Sequence, residues 1–458
     1  MTGVSKNRDY PFAVVADRDG NIYELKGYCA AGMSGGDIVP LESSELIPVP
    51  DYTKFFYIPG STPVVYRQGR LISLEGAMAV AAFLPPGYTR TMLPAYEQKK
   101  SIALPLWSYT AVAWYKGRFY AAALKVAWHK KADPALHDDE KLLPLIKRTL
   151  TEESNNRLIK HLQRCATEYH CFAAKNVFFR RWEAPVPTSP VCNARCIGCL
   201  SLQEGDCCAS QERIKFVPSP EEIRDVCVPH LKYAEDAIVS FGQGCEGEPL
   251  LQIETIERAI RLIRKETSEG IINLNTNGYS PERIKRLADA GLQSIRISIN
   301  STLEDKYNAY YRPCGYTFKD VIESIRISKR LGLFTSINLL VFPGYTDREE
   351  EVEGLIRLIE ETGIDLVQMR NLSLDPYLYM KHVKRPSGLA IGIRNLIDLM
   401  KNRFPHLRIG YFNLSKKEME MSENNICKLP IEKGQAASRP LQCDNFYLSC
   451  KRRFSPKR

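Results

Sequence analysis

The sequence predicts an α/β protein: a partial (β/α)6 barrel core behind a β-rich N-terminal domain, followed by a cysteine-containing C-terminal extension. Three observations lead there. From Val191 to about Asp375, short apolar runs alternate with amphipathic helical stretches, the pattern of a parallel sheet with outer helices. The first 130 residues instead carry short apolar runs divided by glycine turns. The 14 cysteines are clustered: one lies in the first 160 residues and five lie between Cys192 and Cys208, which directs attention to a metal site.

In residues 1–130, Phe12-Ala-Val-Val and Asn21-Ile-Tyr-Glu-Leu flank the turn Asp17 to Gly20. Thr53 to Ile58, Pro63 to Tyr66 and Arg70 to Ser73 follow, and Thr110 to Tyr115 pairs with Arg118 to Ala123 across Lys116-Gly117. Residues 131–184 read as a helical connector. Leu142, Leu145, Ile146 and Leu150 recur at helical spacing, as do Leu158, Ile159, Leu162 and Cys165. Pro185, Pro187 and Pro190 then make an extended approach to the cysteines. In the core, 185–375, strands are expected at Ala237–Phe241, Ile271–Asn275, Ser294–Ile299, Phe334–Phe342 and Leu366–Arg370. Helices are expected at Ile253–Lys265, from Ser280-Pro281, at Phe318–Leu331 and at Asp347–Thr362. Right-handed crossovers would curl such a sheet into a partial TIM-like barrel with functional loops after the strand C-termini. In the extension, 376–458, Leu389–Phe404 reads as a helix and Leu407–Phe412 as a strand.

A length of 458 residues suggests roughly two to four domains. The net charge of +10 is too dilute for a dedicated nucleic-acid binder, so nucleic acid is not the expected partner. Met1 to Tyr10 is polar and no apolar run is long enough to span a bilayer, so a cytoplasmic location without membrane partners is expected.

Val191-Cys-Asn-Ala-Arg-Cys-Ile-Gly-Cys-Leu200 spaces Cys192, Cys196 and Cys199 as C-x3-C-x2-C. Three thiolates so close can hold three irons of a cubane and leave the fourth open. Taken alone, the spacing also suits zinc with a distant fourth ligand, or buried thiols. At the head of a βα series it is the signature of the radical S-adenosylmethionine (SAM) superfamily, which the sequence resembles.

Later strand ends strengthen the resemblance. Ser240-Phe-Gly-Gln-Gly-Cys-Glu-Gly-Glu-Pro-Leu250 contains Gly247-Glu248-Pro249, which resembles the family's element for the SAM amino group. Asn275-Thr-Asn-Gly278 matches its third-strand ending, which implies that Thr276 and Asn277 line the pocket. Ile295-Arg-Ile-Ser-Ile-Asn300 resembles the fourth-strand element, with Ser298 and Asn300 on one face toward SAM's carboxylate and ribose. Val341-Phe-Pro-Gly344 and Gln368-Met-Arg-Asn371 resemble the adenine contacts, and through them Phe342 and Met369. One departure is Gly198, where the family usually has an aromatic residue against the adenine; Ile197 or Phe342 would have to cover it.

The resemblance implies a [4Fe–4S] cluster, SAM, and an electron donor such as flavodoxin or ferredoxin. It implies reductive cleavage of SAM to a 5′-deoxyadenosyl radical that abstracts a hydrogen atom from substrate. A peptide or a cofactor precursor is the favoured substrate class. The alternatives are RNA modification and a non-catalytic iron–sulfur or zinc protein.

Cys427, Cys443 and Cys450 are candidate ligands of a second iron–sulfur cluster, with packed thiols as the alternative. Cys207 and Cys208 read as structural or pocket-lining thiols. Cys245 and Cys314 are expected at the barrel mouth, most simply as bystanders, with a second-cluster ligand or a hydrogen-atom donor as the alternatives. Cys165, His170 and Cys171 invite a metal reading, but Cys165 fits an apolar helix face and no further ligand is apparent.

Overall fold

The computed structural model describes residues 10–99, 102, 104–127, 129–203 and 209–421. The N-terminal part is antiparallel β-structure, with strands running from Phe12–Ala16 to Arg118–Lys125. Two of its hairpins close through two-residue turns, Gln68-Gly69 and Lys116-Gly117. All four turn residues have positive φ, the backbone that matches strand twist in a tight hairpin.

The connector holds three helices where two are expected: α1 (Asp139–Glu152), α2 (Arg157–Thr167) and α3 (Phe172–Phe179). Phe172-Ala-Ala-Lys-Asn-Val-Phe-Phe is apolar nearly all round, so it carries no 3.6-residue signal.

The core is a seven-stranded parallel sheet in sequential order: β1 (Arg181–Pro185), β2 (Glu235–Phe241), β3 (Ile271–Thr276), β4 (Ser294–Ile299), β5 (Phe334–Val341), β6 (Leu366–Asn371) and β7 (Arg408–Gly410). It is therefore wider than residues 185–375. Its first strand starts at Arg181, inside the expected connector. Its seventh, from the expected extension, pairs Leu366 with Arg408. Between strands lie α4 (Pro220–Tyr233), α5 (Ile253–Glu266), α6 (Pro281–Ala290), α7 (Glu304–Tyr311), α8 (Phe318–Arg330) and α9 (Glu349–Thr362); α10 (Pro376–His382) and α11 (Ile393–Arg403) precede β7, and α12 (Lys416–Glu420) follows it. Helix α4 is capped by a Ser219–Glu222 capping box, a start signal that Pro229 inside the helix obscures.

The two faces of the sheet differ, because side chains alternate along a strand. Ile272, Leu274, Ile295, Ile297, Ile337, Leu339, Val367 and Met369 join the core formed with the helices. The opposite face is polar. Across it run Asn275, Arg296 and Ser336 in one row and Ser298, Asn338 and Gln368 in the next.

The N-terminal sheet docks on the C-terminal ends of β5 and β6. Thr89 Oγ1 donates to the Met369 carbonyl at 2.7 Å, and Asn371 joins the Tyr88 carbonyl and the Arg90 amide at 2.9 and 2.8 Å. The buried Arg90 guanidinium donates to the carbonyls of Leu372 (2.8 Å) and Val341 (3.3 Å). No helix among the described residues is long and apolar enough to cross a membrane.

Candidate functional site

The cysteine loop follows β1 and is held on two sides. On one side, Gly247 and Glu248 donate their amides to the carbonyls of Ser189 (2.7 Å) and Val191 (2.9 Å). A Cβ on Gly247 would lie 1.9 Å from the Val191 carbonyl oxygen, so the approach requires glycine. On the other side, Arg195 and Ile197 donate to the carbonyls of Tyr311 (2.9 Å) and Tyr310 (3.1 Å), and Cys314 donates to that of Asn193 (2.8 Å). Cys314 itself is exposed.

Glu246 fastens the loop after β2 to the loop after β1. The carboxylate is buried and accepts from the amides of Thr188 (2.8 Å), Ser189 (3.0 Å) and Gly242 (2.5 Å), and from Thr188 Oγ1 (3.0 Å).

Cys192, Cys196 and Cys199 are half-buried free thiols. Burial is the largest cause raising Cys192 to about 11 and Cys196 well above the ordinary value, and each also feels the Cys199 charge. Burial thus disfavours free thiolates here, and the three sulfurs would be held as thiolates only with a cation beside them. Their spacing bears on which one. Among the described residues, the one trio of ligand atoms within 4.8 Å of one another lies elsewhere. A single tetrahedral zinc needs sulfurs about 3.8 Å apart, whereas a cubane spreads its cysteines over separate irons. The donor set therefore fits the cubane. Arg213 Nη2 and Ser201 Oγ both lie 3.7 Å from Cys199 Sγ, placing donors beside that sulfur.

Next to the cysteines, Glu248 is buried and accepts from Thr276 Oγ1 (2.5 Å) and the amides of Asn277 (2.9 Å) and Leu250 (3.0 Å). Its charge acts on the Cys192 thiol. Pro249 opens the 3₁₀ turn that aims it. Asn277 Nδ2 reaches Asn193 Oδ1 at 2.8 Å, tying the end of β3 to the cysteine loop. Ser298 Oγ accepts from Asn338 Nδ2 at 3.1 Å on the polar face. Asn300 donates to Tyr379 Oη (3.2 Å) and the Lys306 carbonyl (3.3 Å), while its buried Oδ1 has no partner among the described residues. A buried carboxylate and an orphaned acceptor suit a ligand bearing an ammonium and hydroxyls, as SAM does.

Phe342 is fully buried, its ring 4.3 Å from that of Tyr379. Met369 is placed otherwise than expected. Strand alternation turns it to the helix-packed face, and the polar face of β6 carries Gln368 and Arg370. At Gly198, the residue nearest an added Cβ is Tyr310 of α7, its Oη 2.8 Å away. Tyr310 thus fills the room that an aromatic residue at 198 would take. Sequence reading named Ile197 and Phe342 for this and missed Tyr310, which only the β4–α7 crossover brings there. Cys427, Cys443, Cys450, Cys207 and Cys208 lie outside the described residues.

Burial raises Glu246 and Glu248 to about 7 from an ordinary 4.5. The folded chain then binds these protons more tightly than the unfolded one, so stability falls as pH rises from about 4.5 through about 7. In denaturant titrations of the cluster-free chain, the stability of wild type relative to Glu248→Gln should therefore fall by on the order of a few kcal/mol between pH 5 and 8. A profile unchanged by that substitution would contradict the assignment.

Residues 186–359 match the family model of the radical SAM superfamily. The GTP 3′,8-cyclase of Alkaliphilus oremlandii is 32% identical over 183 residues, 40% of this chain and 53% of its own length. That of Aquifex aeolicus is 30% identical over 181 residues, 38% of this chain and 52% of its own. Molybdenum cofactor biosynthesis protein 1 of Mus musculus is 24% identical over 311 residues, 66% of this chain and 44% of its own. The chain thus spans about half the length of the curated relatives it matches. The family match runs from the cysteine loop into α9, through the ends of β2, β3, β4 and β5 on which the site is built. The site thus lies within a radical SAM superfamily segment, residues 186–359, and the enzymes of that superfamily work with a [4Fe–4S] cluster and S-adenosylmethionine.

Proposed function

We propose that this protein abstracts a hydrogen atom from a small anionic substrate of the cofactor-precursor kind, bound against the polar face of an open sheet that acts as a partial (β/α)6 barrel. The observation that carries the substrate class is a pair of arginines on that face. Arg296 is buried, donates to Gln368 Oε1 at 3.0 Å, and is lowered to about 9 by burial and then by the charge of Arg370. Both Nε atoms are buried without a partner among the described residues. Two guanidiniums that repel each other in a dry site favour a bound anion, which cancels the repulsion and takes the free donors. The names GTP 3′,8-cyclase and molybdenum cofactor biosynthesis protein 1 belong to the relatives and support a phosphorylated precursor over a peptide.

In this reading Cys192, Cys196 and Cys199 hold the cluster. Glu248 takes the SAM ammonium, with Gly247 and Pro249 shaping its turn and Thr276 and Asn277 fixing its carboxylate. Ser298 and Asn300 take the carboxylate and ribose, while Phe342 and Tyr310 cover the adenine. When bound, the cluster and SAM supply a 5′-deoxyadenosyl radical. The N-terminal sheet, fastened by Arg90 over β5 and β6, screens that mouth from water. A flavodoxin- or ferredoxin-type electron donor and a cytoplasmic setting accompany this reading.

The test is anaerobic reconstitution followed by dithionite and SAM, with purine nucleoside triphosphates as substrate probes. We expect 5′-deoxyadenosine, formed faster with a binding triphosphate. Arg296→Gln should raise the probe's KM about tenfold or more while leaving probe-free cleavage nearly intact. A chain with its cluster in place that forms no 5′-deoxyadenosine would sink the reading. Cleavage stimulated by peptides and not by anions would overturn the substrate class.

A further inference from the structure

His161 and Cys165 stand four residues apart on α2, on one face of the helix. The loop after β2 brings Cys245 to the same place from more than seventy residues away. His161 Nε2 lies 3.5 Å from Cys165 Sγ, and the three ligand atoms all fall within 4.8 Å of one another. Both cysteines are buried.

We propose that His161, Cys165 and Cys245 bind a structural zinc ion, separate from the cluster and from the SAM pocket. The donor set is two thiolates and an imidazole, and a tetrahedral zinc places such atoms about 3.5–3.8 Å apart, within a small side-chain adjustment of the arrangement here. A disulfide between the cysteines would leave the imidazole without a role. The backbone is already fixed for ligation: Ile214 donates to the Cys245 carbonyl at 2.8 Å, and Cys171 to that of Cys165 at 3.1 Å.

The thiol charges agree with this. A hydrogen bond from Cys245 is the largest cause lowering Cys165, and the same bond raises Cys245. The two sulfurs are thus close enough to share a hydrogen bond and to face one ion. Zinc binding releases the thiol protons to solvent. Cys171 is near enough for its charge to bear on Cys245, so the fourth position falls to Cys171 or to water. The ion pins α2 to the segment that continues as Glu246-Gly247-Glu248, and so ties the connector to the SAM-binding turn.

The experiment uses the full chain, purified without oxygen and reconstituted with its cluster. After incubation with zinc chloride and gel filtration, elemental analysis should find about one zinc per chain. Its X-ray absorption should show two or three sulfurs at about 2.3 Å and a nitrogen at about 2.0 Å. His161→Ala and Cys245→Ala should each lower zinc at least about tenfold with cluster iron unchanged. If a variant fails to fold, the wild-type absorption spectrum decides. No retained zinc, an oxygen-only or sulfur-only shell, zinc lost in Cys192→Ala, or a Cys165–Cys245 disulfide in the anaerobic protein would each overturn the proposal.

Discussion

Gly247→Ala is expected to lower the rate of 5′-deoxyadenosine formation by about a hundredfold or more while leaving the rest of the fold intact. The cause is a single contact. The added methyl would meet the Val191 carbonyl oxygen at 1.9 Å and carbon at 2.5 Å, and the Cys192 amide nitrogen at 3.2 Å. These are backbone atoms of the cysteine loop, so the clash is relieved only by moving that loop or the Glu248 turn. A shift of about 1 Å there separates the cysteines from the carboxylate assigned to the SAM ammonium. Gly244→Ala is the control. Its methyl would meet chiefly the Gln211 side-chain amide, which can rotate away, so activity and melting temperature should change little. Equal effects from the two would mean that the Gly247–Val191 contact does not position the site.

That contact marks where sequence reading stops. Strands β2 to β6 are legible because each is an apolar run of strand length closed by a polar or glycine-bearing end. The cysteine spacing and Gly247-Glu248-Pro249 are local patterns and are legible for the same reason. The sequence cannot show that Ser189 and Val191 pair with Gly247 and Glu248, since those segments come together only through the β1–β2 neighbourhood. β7 illustrates the same limit: Arg408-Ile-Gly410 is three residues long, and its membership in the sheet depends on pairing with Leu366 to Gln368. Tyr310 escaped for another reason: Tyr307, Tyr310 and Tyr311 do stand at i, i+3 and i+4 on one face of α7, but the helix is only eight residues long and nothing local ties that face to Gly198. Met369 is a different case. Alternation of Val367 and Met369 against Gln368 and Arg370 was present in the sequence and assigns the polar pair to one face. The trio of His161, Cys165 and Cys245 joins a helix face legible in the sequence to a loop whose approach was not.

The second large effect falls on Glu246. Glu246→Ala should cost about 3–5 kcal/mol of stability and with it retention of the cluster. The carboxylate accepts four hydrogen bonds in a buried site, three of them from the backbone amides of Thr188, Ser189 and Gly242. Alanine leaves those amides unpaired where water does not readily reach, and each orphaned donor costs about 1–3 kcal/mol. Glutamine keeps the volume but turns a donor toward donors, so Glu246→Gln should recover only part of the loss. Thr188 and Ser189 lead into the cysteine loop and Gly242 directly follows β2, so loosening them moves the cysteines and Gly247 apart. Chemical denaturation reads the stability term, and iron content after desalting reads the site. A variant with wild-type stability that still loses iron would place Glu246 at the cluster itself. A variant destabilised as expected, yet with full iron and normal SAM cleavage, would show that the cysteine loop keeps its shape without this clasp.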